Sequence, residues 1–349
     1  MTFSPQPLKL SYMNKIYTAS AFIGLFIAIF LALLFTGNLP SGFEFFGGKK
    51  TPPVKIGVLY SSASYKLAFD GLKNKMAEDG YLEGKDMEFL VKELTDPSAA
   101  ANAAKELIAE GVKIIYSITT PVTTAVKKEV GESLPIVFNI VGDPVGPGFV
   151  KSFAEPGSNL TGCTNLSASL SGKRLEIFKK AFPNIKKVVT FYDPANAFSM
   201  LSIQETRKAA SGLGIEVKEV FVKNADEIDA ELAKLRPGEY DGFYNTPDAR
   251  AVGRIDKIVA KANALKIPVM GHEEDLAMKG AALTYGANFY LLGRDCAIVV
   301  ENIMRGHSPR TEPVISPSKF DLVVNQKTLD IIGRAISQQT LSQADKIIK

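Results

Sequence analysis

KKVVTFYDPANAFSMLSIQETRKAASGLGIEVKEVFV, residues 186–222, decides the fold, because it restates a plan the chain has already used. Apolar run, polar turn, helical pattern, glycine and second apolar run follow in the same order as at 55–91. The earlier copy opens with VKIGVLY (54–60), a continuous apolar run of buried-strand type, followed by SYKLAFDGLKNKMAEDG (64–80). In that segment Leu67, Ala68, Leu72 and Met76 recur at helical spacing on one face, and Gly80 supplies the stop.

Working outward, the first unit continues with MEFLVKEL (87–94), a helix from Pro97 capped by Asp96, KIIYSIT (113–119), another helix and PIVFNIV (135–141). The second unit continues with a helix near 226–235, DGFYN (241–245), a helix at 249–265 and PVMGH (268–272). Strands alternating with helices predict parallel sheets covered on both faces. The restart predicts two similar α/β lobes in place of one large sheet. The third strand of one unit ends in Thr119-Thr120-Pro121 and that of the other in Asn245-Thr246-Pro247. Both are read as a Thr cap with Pro as first helical residue. Ligands of open α/β sheets bind beyond the carboxyl ends of strands, so both turns belong on a binding edge, where helix amides suit an anion such as a carboxylate.

Composition excludes several classes. The 349 residues, 46% apolar and 22% charged, are ordinary globular material, enough for two compact domains. Setting aside Lys9 and Lys15, 41 − 2 leaves 39 basic against 37 acidic residues, a balance with no electrostatic case for nucleic acid. His272 and His307 are the only histidines, without HExxH spacing, so a zinc site or histidine triad has little to build on and each is expected to be a solvated surface residue. The acidic run HEED at 272–275 is likewise read as a solvated face, not a metal site. No metal or cofactor is expected. Cys163 and Cys296 are far apart in sequence and are expected to be two buried thiols, a disulfide being the alternative.

IYTASAFIGLFIAIFLALLF (16–35) carries no charge and follows two lysines. Such a segment is a signal peptide or, at about 1.5 Å per residue against a hydrocarbon core of about 30 Å, an uncleaved anchor. Residues 1–37 are therefore assigned to targeting, and 38–53, with GGKKTPP, to a linker. Lysines held on the cytoplasmic side place the rest of the chain outside the cytoplasm.

The glycine-rich run DPVGPGFVKSFAEPGSNLTG (143–162) is no nucleotide fingerprint: Gly146 and Gly148 give GxG, but residue 151 is Lys, and no GxxxxGK[ST] occurs in the chain. With VGDPVGPGF (141–149), PGSNLTG (156–162), GKRLEIFKKAFPNIKKV (172–188), GAALTYG (280–286), FDLVVNQKTLDIIG (320–333) and QADKII (343–348), the chain from about 54 to 349 resembles the extracytoplasmic solute-binding proteins of ABC importers. More narrowly, it resembles the uncharacterised and tryptophan-binding-like receptors of type I periplasmic-binding fold. It departs from that family in ISQQTL (336–341), where relatives carry a proline, and in lacking a lipid-attachment cysteine.

The resemblance implies two Rossmann-like lobes joined by three crossover strands, near 163–168, 286–291 and 316–325. Lobe 1 would be 54–165 plus 290–320, and lobe 2 would be 166–289 plus 321–349. It implies a monomeric, non-catalytic receptor that takes one small solute per chain and delivers it to a permease and its ATPase, with no cofactor and no nucleic acid. The membrane is a partner if the amino-terminal segment stays uncleaved. The alternatives are a membrane-anchored sensor and, further off, a nucleotide-sugar-type enzyme; a repressor would need a DNA-binding headpiece where this chain has an apolar segment.

The polar strand ends supply the ligand-binding candidates. They are Ser61, Ser62, Ser64, Thr119, Thr120 and Asp143 in the first lobe, and Asn196, Phe198, Asn245, Thr246, Asp248, Tyr285 and Gly286 in the second. Hydroxyls and helix amides suit a carboxylate, Asp143 or Asp248 an amine, and Phe198 or Tyr285 an aromatic side chain. That set favours an amino acid. Against it, serines and asparagines also cap helices, Asp143 also braces a turn, and Tyr285 also packs at a hinge.

Overall fold

A computed structural model describes residues 52–349. The expectations for residues 1–37, including the apolar helix, and for nearly all of the 38–53 linker lie outside the described residues. The first sheet is built from β1 (Val54–Tyr60), α1 (Ala63–Glu78), β2 (Met87–Glu93), α2 (Ala100–Ala109), β3 (Ile114–Ile118), α3 (Thr120–Val130), β4 (Ile136–Val141) and β5 (Leu160–Thr164). Its five parallel strands lie in the order β2-β1-β3-β4-β5. One face packs Ile56, Val58, Tyr116 and Val137 under α1, and the other packs Leu59, Ile115 and Phe138 under α2 and α3. Both faces are covered, which is why the strands read as continuous apolar runs and not as alternating ones. Each such side chain fully buried contributes about 1.5–3 kcal/mol.

The second sheet takes α4 (Ser171–Ala181), β6 (Lys187–Tyr192), α5 (Ala197–Leu213), β7 (Glu216–Phe221), α6 (Ala225–Lys234), β8 (Gly242–Tyr244), α7 (Ala249–Val252), α8 (Ile255–Ala264), β9 (Val269–Gly271), α9 (Glu274–Met278) and β10 (Leu283–Ala287). The chain then makes α10 (Phe289–Asp295) and α11 (Ala297–Met304) before returning as β11 (Phe320–Asn325), α12 (Gln326–Ile332), α13 (Gln338–Ser342) and β12 (Lys346–Ile348). The order is β12-β11-β10-β9-β8-β6-β7, with β11 antiparallel to β10. Read from its far edge, β7-β6-β8-β9-β10 reproduces the order of the first sheet, so the internal repeat extends from sequence to topology. The single helix expected at 249–265 is interrupted at Gly253, which closes α7.

Helices α10 and α11 lie on the first sheet, not the second: Leu292, Val299 and Val300 share a core with Ile56 and Tyr116. The approach to α1 is close enough that a β-carbon on Gly71 would overlap the Tyr290 carbonyl, and one on Gly293 the Ala68 carbonyl. The chain therefore passes between the two sheets three times, at 165–170, at Asn288 and at 316–319. Each passage is a short irregular connection. The strands flanking it, such as β11, already belong to one sheet.

This return brings Cys163 of β5 to Cys296 at the α10–α11 junction, with 5.8 Å between their Cα atoms, and the two form a disulfide. The expectation of two thiols is thus corrected. Sequence distance hid the pairing because the cysteines are 133 positions apart and the chain between them includes most of the second sheet. Ile315, entering the third passage, pairs alongside Cys163, its N–H donating to the Gly162 carbonyl (2.9 Å) and its carbonyl accepting from the Thr164 N–H (3.0 Å).

Candidate functional site

The carboxyl ends of the strands of both sheets open on one cavity of about 590 Å³, within the range of about 300–1,000 Å³ usual for small-molecule sites. The first sheet contributes Ser61 after β1, Thr119 and Thr120 after β3, Ile140, Gly142 and Asp143 around the end of β4, and Asn165 and Ser167 after β5. Tyr65 reaches in from the first turn of α1. The second sheet contributes Asn196 and Phe198 after β6, Asp248 and Val252 after β8, and His272 and Glu273 after β9. Most of the wall is apolar, with Ile140, Phe198, Val252 and prolines between the polar groups. Phe198 lies against Gly142 of the opposite sheet, where any β-carbon would overlap its ring.

Seven of the residues singled out from sequence line this cavity: Ser61, Thr119, Thr120, Asp143, Asn196, Phe198 and Asp248. The other six do not. Ser62 is spent as the cap of α1, accepting from the Tyr65 N–H. Ser64 turns outward and donates to Asp275 Oδ1 at 2.7 Å. With Gly286 it borders a separate cavity of about 310 Å³ beside the second passage. Thr246 points into the core, sharing a hydrogen bond with the Thr190 hydroxyl (2.7 Å), and Asn245, 1% exposed, does not reach the cavity lining, its amide nitrogen and oxygen both buried without a protein partner. Tyr285 packs on Phe320 as part of the sheet.

The matched helix starts are also corrected. In the first unit Thr119 caps α3 through its backbone, at φ +88°, without a side-chain hydrogen bond, and Thr120 precedes Pro121 in the helix. In the second, Asp248 and not Thr246 is the cap, because its carboxylate accepts from the N–H groups of Arg250 (2.9 Å) and Ala251 (3.3 Å). Its other oxygen accepts from the Asp193 N–H (3.1 Å) and the Ser199 hydroxyl (2.7 Å). Four donors occupy the Asp248 carboxylate, which argues against the amine role expected of it. Asp143 is likewise a turn brace, Oδ1 accepting from the N–H groups of Val145 and Gly146 at 3.0 Å each.

HEED is not a solvated face. His272 is 7% and Glu273 5% exposed, both on the cavity wall. Burial, then the Arg174 charge, pushes the His272 imidazole down to about 3, so it is neutral at ordinary pH. Burial, reinforced by Asp275, pushes the Glu273 carboxyl up to about 7 against the opposing pull of Lys279 and Arg174. Tyr65 faces Glu273, whose charge, followed by burial, raises the phenol. His307 is solvent-exposed, as expected. The signal for His272 and Glu273 was present: they follow the fourth strand of the second unit as Asp143 follows that of the first.

A family model described as ABC transporter substrate binding protein matches residues 53–348. A tyrosine-binding protein of Clostridioides difficile is 26% identical over 300 residues, 86% of this chain and 84% of that protein. Among solved structures, a conserved domain protein of Vibrio cholerae is 27% identical with a TM-score of 0.75, the match covering 85% of this chain and 100% of that one. An ABC domain of Streptococcus pneumoniae in complex with L-Trp is 24% identical with a TM-score of 0.74 and the same coverage.

Proposed function

The chain belongs to the ABC transporter substrate-binding protein family, and from that premise we propose that it captures one amino acid with an aromatic side chain and delivers it to a membrane permease. The observation that carries this reading is the cavity itself: two sheets of matching strand order present their strand tips to one space of about 590 Å³, walled mainly by apolar groups. Phe198 and Tyr65, from opposite sheets, are the surfaces for an aromatic ring. The first turn of α3, with Thr119 and Thr120 and no side-chain cap, offers free amides and hydroxyls to a carboxylate. The tyrosine- and tryptophan-binding relatives support the same ligand class.

In this reading residues 54–165 with 290–320 form one lobe and 166–289 with 321–349 the other, and they close by bending at the three passages. The protein acts outside the cytoplasm as a monomer, sent there and held at the membrane or released by its amino-terminal segment. A disulfide fits such an oxidising compartment. The test is calorimetric titration of the purified full chain with amino acids, sugars and nucleosides. One molecule of L-tyrosine or L-tryptophan per chain is expected. Binding confined to sugars or nucleosides overturns the reading.

A further inference from the structure

Three carboxylates line the cavity, and their surroundings differ in kind. Asp248 is filled by four protein donors, and Asp143 holds its turn at the rim. Glu273 is 95% buried, 5% of its surface being exposed, and opens on the cavity. Among the described residues no lysine or arginine comes within 4.0 Å of its carboxylate; the nearest basic nitrogen is His272 Nε2 at 3.9 Å, on a ring kept neutral.

The groups around it do not supply the missing cation. From α1 comes the Tyr65 hydroxyl, a neutral donor, and from α9 and its C-cap come Asp275 and Lys279. Asp275 is of like charge, and Lys279 is bound to Asp275 at 2.8 Å. From α4 comes Arg174, whose donors are taken by the carbonyls of Tyr285 and Ser167 and by the hydroxyls of Ser167 and Ser171. A buried carboxyl on a ligand cavity without a protein cation is costly to ionise unless a cation arrives from outside.

We propose that Glu273 is the receptor for the ammonium group of the ligand, with Tyr65 from the opposite sheet completing its hydrogen-bonding and making amine recognition a condition of closure. This assignment rests on the amino-acid reading above and adds to it the residue that selects amines over acids and neutral solutes. One positively charged ammonium neutralises the one buried carboxylate, whereas a ligand lacking it leaves the carboxylate unpaired or forces it to take up a proton.

The experiment compares the full-length wild type with Glu273→Gln, which keeps the shape and removes the charge. Each is titrated with L-tyrosine, tyramine and 3-(4-hydroxyphenyl)propionate, and circular dichroism verifies the fold of the variant. The expected result is a loss of about 30-fold or more for L-tyrosine in the variant, with affinity for the propionate unchanged or improved. As a second readout on the unaltered protein, titration at pH 7 in buffers of different ionisation enthalpy should show a fraction of a proton released as L-tyrosine binds, since a carboxyl titrating near 7 is partly protonated there. Unchanged L-tyrosine affinity in the variant, or an equal loss for the propionate, overturns the assignment and leaves the amino-acid reading standing; proton release that persists in the variant does the same. A wild type that binds neither L-tyrosine nor tyramine overturns both.

Discussion

Arg174 Nε donates to the Tyr285 carbonyl at 2.7 Å, while Nη1 of the same guanidinium donates to the Ser167 carbonyl, also at 2.7 Å. Ser167 lies on the first passage between the sheets and Tyr285 in β10 just before the second, so one side chain, 1% exposed, ties the first passage to the approach of the second. The GKRLE segment thereby acquires a physical role: α4 carries a rigid planar fork into the junction between the sheets.

Arg174→Met is therefore expected to destabilise the protein by about 2–4 kcal/mol, since two buried carbonyls lose their donors while one desolvation penalty is relieved. Arg174→Lys should recover little, because an ammonium has no fork to span both acceptors. Urea denaturation monitored by circular dichroism measures both. A midpoint unchanged in the Met variant would show that the junction does not depend on this bond pair.

Gly142 and Phe198 make a contact across the cavity mouth with no space for a side chain at position 142. Gly142→Val should wedge the lobes apart, weakening ligand by about tenfold or more, which is about 1.4 kcal/mol, with a small effect on thermal stability because neither sheet core is touched. Titration calorimetry gives the affinity and small-angle scattering the opening. Full affinity in this variant would mean that Phe198 simply rotates aside.

How far the sequence reaches is visible in neighbouring residues. The alternation of apolar runs with helical faces foretold both sheets, because a strand buried on both sides announces itself residue by residue. The strand-end rule then brought Thr119, Asn196 and Phe198 to the cavity. It failed at Thr246, one residue past Asn245, since at the tip of a short strand which way a side chain points is set by packing, here against Thr190. It was not applied after β9, where the charge of HEED suggested solvent; yet a carboxyl can be buried when its partner comes from elsewhere. The disulfide was illegible for another reason, that no local pattern brings β5 beside a helix returning from the far sheet.

Joining Cys163 to Cys296 closes a loop spanning 133 positions. Loss of such a link restores that freedom to the unfolded chain, so Cys163→Ser with Cys296→Ser should cost about 3–5 kcal/mol. Thiol labelling of the denatured wild type without reductant should find no free cysteine, and urea midpoints with and without reductant should differ by the same energy as the double variant. A labelled cysteine would return the pair to two thiols.

Glu273 and His272 give the free protein opposing pH dependences. The Glu273 carboxyl titrates near 7 in the fold against 4.5 unfolded, so the unfolded state releases its proton first, and this group removes stability as pH rises from about 4.5 through 7. The His272 imidazole titrates near 3 against 6.5 unfolded, so its contribution is complete above 6.5 and is lost as pH falls through 3. The two slopes oppose each other between 4.5 and 6.5, so together these groups give a mildly acidic plateau, with stability falling below it as His272 loses its contribution and above it until Glu273 is ionised. In Glu273→Gln the alkaline-side loss disappears, and between pH 5 and pH 8 the variant should gain on wild type by on the order of 2 kcal/mol. Saturating amino acid should flatten the same limb in wild type, because an ammonium beside Glu273 brings its folded titration back toward the acid range. Urea unfolding across that pH interval, with and without L-tyrosine, reads both effects. Parallel curves for variant and wild type would show that Glu273 is ionised in the free protein and already has a partner.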